Sequence, residues 1–512
     1  MSDSSRIDRR TLLRAAGAAA LGGVAGGVLA GCGGNNPAPA ASRKAVRSLR
    51  IGATDPTKGT GVDPRSVGQG ATTMVLYHLY DVLMSLDDDK YVYGLAESVE
   101  PNADGTKWTI RIRDGARFHD NRPVTAADVA YSLRTLASPP SNRAIVYGDL
   151  DLTGMAVRDP RTLEVPLKRP RGDFREGVLV TFSPVFPDGT TDFTKGIGSG
   201  PYRLQGVDGK NVRLTAFDGY RGTPPAIKDL EFIRIDDPAA RLNGLKSGQI
   251  DYAVAISAVG AAAEKGNPAV QVNRAGVVSA NALSFAMNQT IAPFNDPRVR
   301  RALRLAVDRD QLVGNALLGL GSTGDDLVGK GLPGYATDVA RRARDVAQAR
   351  QLLQAAGVTQ LTIRAADIVP GMLSATRLFA QQLAEVGVTL TVQQVPVDSF
   401  YADLPALRKV PFQTFYYANR PAATHLANVT SQTSFFNVTG TGPDYWKQLG
   451  AAQTIVDDAR RTDAFLALQR ELYDGGGDVL WAYQDQLDAS IPGVKDVKRR
   501  AQLPVFHAAT VG

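Results

Sequence analysis

Asp104-Gly105-Thr106-Lys107-Trp108-Thr109-Ile110-Arg111-Ile112-Arg113-Asp114-Gly115-Ala116-Arg117-Phe118-His119-Asp120, then Arg122-Pro123-Val124-Thr125-Ala126-Ala127-Asp128-Val129, holds the strongest local signals in this chain. Asp104-Gly105 reads as a turn, and the alternation of apolar and polar residues from Trp108 to Arg113 reads as a half-buried antiparallel strand. Thr125-Ala126-Ala127-Asp128 is a capping box, in which the carboxylate three residues on reaches back to the cap. It opens a helix with Val129, Leu133 and Leu136 on one face.

Further along, strands and helices alternate. Leu49-Arg50-Ile51-Gly52-Ala53 reads as a strand running into a Gly/Pro/Asp loop over 54–64. Asp296-Pro297 begins a helix with proline at its first position. Val299, Leu303, Ala306 and Val307 face inward there. Arg298, Arg300, Arg301 and Arg304 read as its solvated face, with Asp308 four residues beyond Arg304 as an ion partner. A helix holding Val346, Ala349, Leu352 and Leu353 ends at Gly357, and Leu361-Thr362-Ile363-Arg364 follows as a strand. A helix holding Leu378, Phe379 and Leu383 stops at Gly387 before the strand 388–392. This order predicts an α/β lobe whose sheet is covered by helices.

Composition excludes several classes. The 512 residues carry 58 Lys+Arg against 51 Asp+Glu, a net +7, with 44% apolar and 21% charged residues. Such a chain buries a large core over two to four domain-sized parts and is not a dedicated nucleic-acid binder. The lone cysteine, Cys32, rules out an intramolecular disulfide. His78, His119, His425 and His507 have no metal-ligand spacing, so no metal site is expected.

Residues 1–32 read as an export signal. Arg9-Arg10, in Asp8-Arg9-Arg10-Thr11-Leu12-Leu13-Arg14, fit the twin-arginine pattern, and a short, glycine-bearing apolar run covers 15–30. That run falls short of the roughly 20 strongly apolar residues of a bilayer span. Leu29-Ala30-Gly31-Cys32 matches a lipobox, making Cys32 the lipidation site and first mature residue. Residues 33–48 read as a flexible tether, with Arg43, Lys44, Arg47 and Arg50 placed to meet anionic head groups or water.

Catalytic motifs are not visible: there is no G-x-S-x-G elbow, P-loop or dinucleotide fingerprint. Gly196-Ile197-Gly198-Ser199-Gly200 reads as a tight turn before Pro201, and Asp87-Asp88-Asp89 as a loop. The cluster Phe412, Phe415, Tyr416 and Tyr417 fits either a core or a cleft wall.

Several segments, in order, resemble one family. Tyr77-His78-Leu79-Tyr80-Asp81-Val82-Leu83, Gly94-Leu95-Ala96-Glu97-Ser98, the 104–129 stretch, Gly198-Ser199-Gly200-Pro201-Tyr202, Met287-Asn288-Gln289, 293–303, Ala306-Val307-Asp308-Arg309, 349–357 and Arg470-Glu471-Leu472-Tyr473 are similar to family 5 bacterial extracellular solute-binding proteins, the oligopeptide/dipeptide/nickel-binding group. The resemblance runs from about 49 to about 500. It implies an α/β, two-lobed periplasmic-binding-protein-like fold (type II, cluster C) with an inserted domain. Lobe I would be 49–79, 196–277 and 487–512, the inserted domain 80–195, and lobe II 278–486.

The function so implied is non-enzymatic: the capture component of an ABC importer, working as a monomer without cofactor, with a permease and an ATPase as partners. The solute would be a peptide or peptide-like molecule. A metal chelate such as a nickel complex or metallophore, a sensing receptor without transport, and an anchored hydrolase are the alternatives. The cleft would be lined by Thr54 and Asp55 and by Tyr416, Tyr417, Asn419, Arg420 and Asn437. Peptide-binding members carry an acid in the later segment, after an aromatic residue, to pair with the peptide amine. This chain reads Phe415-Tyr416-Tyr417-Ala418-Asn419-Arg420-Pro421-Ala422-Ala423-Thr424, with no acid. Arg420 instead favours a carboxylate or other anion.

Overall fold

The structure, a computed structural model, describes residues 48–54, 61–68, 70–209 and 211–512. Arg9, Arg10, Cys32 and Asp55 lie outside these residues. Among the described residues, no helix is long and apolar enough to cross a membrane.

Two sheets organise the chain. The first has seven strands in the order Gln271–Arg274, Leu487–Ser490, Tyr252–Ala253, Ser48–Ala53, Asp229–Arg234, Asn211–Ala216 and Tyr202–Asp208. Its central strand, Ser48–Ala53, runs parallel to both neighbours. Leu49, Ile51 and Ala53 are fully buried, as a strand covered by packing requires. Arg50, read with the basic tether, instead lies inside this strand and grips Asp251 with two side-chain hydrogen bonds of 2.9 and 2.7 Å.

The second sheet has six strands in the order Gly321–Thr323, Asp478–Gln484, Asn281–Met287, Phe412–Ala418, Gln360–Ala365 and Thr389–Gln394. Strand Asn281–Met287 sends Leu283, Phe285 and Met287 to one core cluster and Ala282 and Ala286 to another, the period-2 alternation of a strand covered on both faces. On the first face Phe285 stacks on Phe379 with ring centres 4.5 Å apart. The helices Pro297–Ala306, Val346–Ala355 and Met372–Glu385 cover that face, as the alternation of elements predicts.

Helix Pro297–Ala306 corrects one expectation. Arg298 and Arg301 are exposed, but Arg300 and Arg304 are 8% and 1% exposed. Arg300 donates to the carbonyls of Phe294 (2.7 Å) and Gly475 (2.9 Å). Arg304 donates to the carbonyls of Tyr473, Asp474, Gly476 and Asp478. The first three are carbonyls at the end of helix Asp458–Gly475, where a cation is favoured, and the fourth opens strand Asp478–Gln484. Burial lowers the Arg304 pKa to about 10. Asp308 does not pair with Arg304; it caps helix Arg309–Ala316 by accepting the Gln311 amide at 2.9 Å.

The 104–129 stretch folds as read. Lys107–Ile112 sits in a four-stranded antiparallel sheet between Ala96–Pro101 and Thr162–Pro166. Trp108 is fully buried, and its indole donates to the Arg171 carbonyl at 3.0 Å. The Thr125 amide and hydroxyl both donate to Asp128 at 2.7 Å, opening helix Ala126–Leu136. Trp108 and Ile51 belong to one contiguous core, so this sheet and the seven-stranded sheet share their apolar interior. Gly198 and Gly200 pass flat against the backbone of His78 and Leu79, where a Cβ would collide with carbonyl oxygens. Asp87 belongs to the hairpin strand Met84–Asp87 and pairs with Arg500 at 2.8 Å.

Candidate ligand-binding site

The two large sheets exchange the chain twice, side by side. Gln271–Arg274 leads into Asn281–Met287, and Asp478–Gln484 leads into Leu487–Ser490. The crossings are tied together: the Ala275 amide donates to the Gln486 carbonyl at 3.0 Å, Arg274 pairs with Asp485 at 2.5 Å, and the Gln502 amide donates to the Ala280 carbonyl at 2.6 Å. Two short parallel crossings between rigid sheets are the geometry of a hinge.

Away from the hinge, a second region brings distant segments together. The turn Arg175–Leu179 packs on helix Ala422–Val429, with the Thr424 hydroxyl donating to the Glu176 carbonyl at 3.3 Å. Arg175 meets Asp458 at 2.6 Å, Arg461 meets Glu176 at 2.9 Å, and the Gly172 amide donates to the Gln453 carbonyl at 2.7 Å.

Strand Phe412–Ala418 carries the aromatic cluster into this region. Phe412, Phe415 and Tyr417 are core residues, so most of the cluster packs the sheet. Tyr416 is half-buried. Burial raises its phenol pKa, opposed by the charge of Arg420. The Tyr417 hydroxyl donates to Asp478 at 3.1 Å, as does Ser284 at 2.6 Å. Burial nonetheless pushes the Asp478 carboxyl up to about 6.

The remaining candidates separate. Asn419 is 3% exposed and fully engaged: its side chain accepts the Gly329 amide at 2.8 Å and donates to the carbonyls of Val277 (2.7 Å) and Lys330 (2.9 Å). Asn437 is buried in a turn, bonded to the amide, hydroxyl and carbonyl of Thr441. The Thr54 hydroxyl donates to Asp236 at 3.3 Å and its carbonyl accepts the Ala71 amide at 2.9 Å, both within the seven-stranded half. Arg420 alone among the described candidates keeps an exposed side chain. Burial, and then the positive charge of Arg143, lower its pKa, with Tyr416 opposing.

Two residues that the sequence did not single out as site candidates interact electrostatically with Arg420. Arg143 donates to the Thr181 carbonyl at 3.2 Å, and its buried Nε has no partner among the described residues. His425 lies edge-on to Tyr417 with ring centres 5.1 Å apart. Burial first, then the charge of Arg420, lowers its pKa to about 3, so the ring is neutral. It lines a cavity of ≈ 20 Å³ together with Asp326, Gln469 and Asp478. No local pattern marks Arg143 or His425, because their surroundings come from other parts of the chain.

Two helix-covered sheets joined by a paired crossing define the class: a two-lobed, periplasmic-binding-protein-like α/β fold. The structure of HbpA2 from Haemophilus parasuis superposes with a TM-score of 0.77 at 19% identity, covering 91% of this chain and 100% of that one. The model of the bacterial extracellular solute-binding proteins, family 5 Middle, matches residues 90–461, and the chain belongs to that family. The glutathione-binding protein GsiB of Pectobacterium atrosepticum is 27% identical over 348 residues, 65% of this chain and 66% of that protein. The dipeptide-binding protein of Escherichia coli K12 is 26% identical over 331 residues, 59% of this chain and 60% of that protein. The chain thus spans about two thirds or less of the length of these relatives.

Proposed function

We propose that this protein is the non-enzymatic capture component of an ABC importer. It takes up a peptide or peptide-like solute between its two lobes and passes it to permease and ATPase subunits. Family membership over residues 90–461 carries this reading, and the paired crossing supplies the hinge that capture needs. The first lobe would comprise 49–79, 196–277 and 487–512, the second 278–486, with 80–195 inserted. The bound solute stabilises the closed arrangement only by its greater affinity for it. Arg9-Arg10 would direct export and Cys32 would carry the lipid, leaving a monomer tethered to the outer face of the membrane.

Native mass spectrometry of the purified chain, followed by denaturation and fragmentation of what it releases, tests the reading. A set of peptides is the expected result. A single non-peptide solute would overturn the peptide assignment. Intact, unlipidated Cys32 in membrane-extracted protein would overturn the anchor.

A further inference from the structure

The inserted stretch 80–195 meets the second lobe at a join that neither crossing explains. Trp108 and Ile51 lie in one core, so the inserted stretch is packed with the seven-stranded sheet. Among the described residues, the chain passes between that sheet and the six-stranded one only near residues 275 and 486. Yet residues 172–176 also dock on the segment between helices Pro443–Thr454 and Asp458–Gly475. Those helices lie between strands Phe412–Ala418 and Asp478–Gln484 of the six-stranded sheet.

The join is made of polar bonds. The Gly172 amide donates to the Gln453 carbonyl at 2.7 Å, and the Gln453 side-chain amide donates to Asp173 at 3.2 Å. Arg461 pairs with Glu176 at 2.9 Å and also donates to the carbonyls of Ile455 and Val456, 3.0 Å each, so it shapes the docked segment. Arg175 pairs with Asp458 at 2.6 Å. Gly172 is pressed so close that a Cβ would strike the Ile455 carbonyl. Its φ is not left-handed, so the close approach, and not the backbone conformation, calls for glycine. The apolar cores stay separate: Trp108 and Phe174 belong to one cluster, and Leu426, Leu449, Ala452 and Phe465 to another. Joins held by polar groups without a shared core are the kind that come apart and re-form.

We propose that this join is a latch of the closed form, and that holding it is the task of the inserted stretch. This rests on the two-lobed capture reading and deepens it. A rotation about the crossings that parts the two sheets must break these bonds, because one side is packed with each sheet. The latch bonds protein to protein, so it adds the same free energy to the closed form whatever solute is held. Retention thus depends in part on residues that the solute never touches.

The test follows release of the co-purified solutes from the full chain by native mass spectrometry after dilution, beside small-angle X-ray scattering of the same samples. Glu176→Gln and Gly172→Ala should each speed release about 5-fold or more, the scale of one charge-assisted bond. The factor should be the same for every solute, and the radius of gyration should grow. Arg470→Gln removes a charge from the same helix but breaks only a bond to Asp338 within the second lobe, and should do neither. Unchanged circular dichroism excludes misfolding. Since Gly172→Ala displaces backbone, Glu176→Gln decides where the two differ. Release from Glu176→Gln as slow as from the wild type would overturn the latch and leave solute capture standing. Faster release of some solutes and not others would also overturn it, marking a solute contact instead. A chain that carries no solute yet opens on Glu176→Gln would keep the latch and overturn capture. One that carries none and keeps one shape in every variant would overturn both.

Discussion

The Nε2 atom of His78 accepts the backbone amide of Phe506 at 2.9 Å, while its Nδ1 donates to the Met74 carbonyl at 2.6 Å. One imidazole thereby ties a buried helix to a segment near the end of the chain, and the bond accepted at Nε2 requires its neutral form. Burial holds its pKa down to about 3, against an unfolded value near 6.5. The unfolded chain therefore takes up the proton first. The stabilisation is complete above about pH 6.5 and is lost as pH falls toward 3. His425, at about 3, and His119, at about 4, act in the same direction. The urea midpoint should drop steadily between pH 7 and pH 4.5. His78→Gln cannot titrate and should flatten that slope while lowering the midpoint at pH 7; an unaltered slope would contradict this account.

Asp478 acts with the opposite sign. Its folded pKa, about 6, lies above the unfolded value. Its favourable contribution is thus present at low pH and lost as pH rises through 6. Asp478→Asn keeps an oxygen to accept from Ser284 and Tyr417 and removes the buried charge. The variant should melt higher than the wild type at pH 8 and show no gain at pH 4. Differential scanning calorimetry at the two pH values decides it.

Glycine substitutions should split by what surrounds them. A Cβ at Gly198 would strike the Leu79 carbonyl and lie 2.8 Å from the Tyr80 ring, and one at Gly200 would strike the His78 carbonyl. Gly198→Ala or Gly200→Ala should cost about 3 kcal/mol or more, since backbone must move. Gly450 lies inside helix Pro443–Thr454 with nothing within 4 Å of a Cβ. Gly450→Ala should stabilise by about 0.5–1 kcal/mol. Denaturant unfolding of the three variants measures both signs.

Arg309 and Asp326 form an ion pair at 2.6 Å with side chains 3% and 0% exposed. Asp326→Ala leaves Arg309 buried and uncompensated and should cost about 3–5 kcal/mol. The double change Arg309→Met with Asp326→Leu removes both charges and should recover most of that loss. A double-mutant cycle gives the coupling directly; simple additivity would show that the pair contributes nothing as a pair.

The chain's elements were legible where local chemistry dictates structure. The strand around Trp108, the helix after Thr125, the proline-started helix at Asp296 and the flat glycine turn at 196–200 all follow from period, cap or turn residues. Burial of charge was not legible. Arg300 and Arg304 occupy the polar side of their helix, which by itself reads as solvated. They are buried because carbonyls from residues 473–478 arrive there through tertiary packing. Asn419 and Asn437, sequence candidates for the cleft, are spent on backbone groups whose positions no local pattern encodes.

By itself the sequence determined the class of fold, the family and the departure that matters: an arginine, and no acid, follows the aromatic strand at 412–418. The alternating elements follow from short-range periodicity, and the family with its fold from ordered segments that resemble that family's. Only the tertiary structure decided which side chains meet. Asp478 meets Ser284 and Tyr417, and Asn419 meets the backbone of Gly329, Val277 and Lys330, through packing between distant segments. Electrostatic environment depends on distance in space and on exclusion of water. Neither quantity is a property of neighbouring letters in the chain.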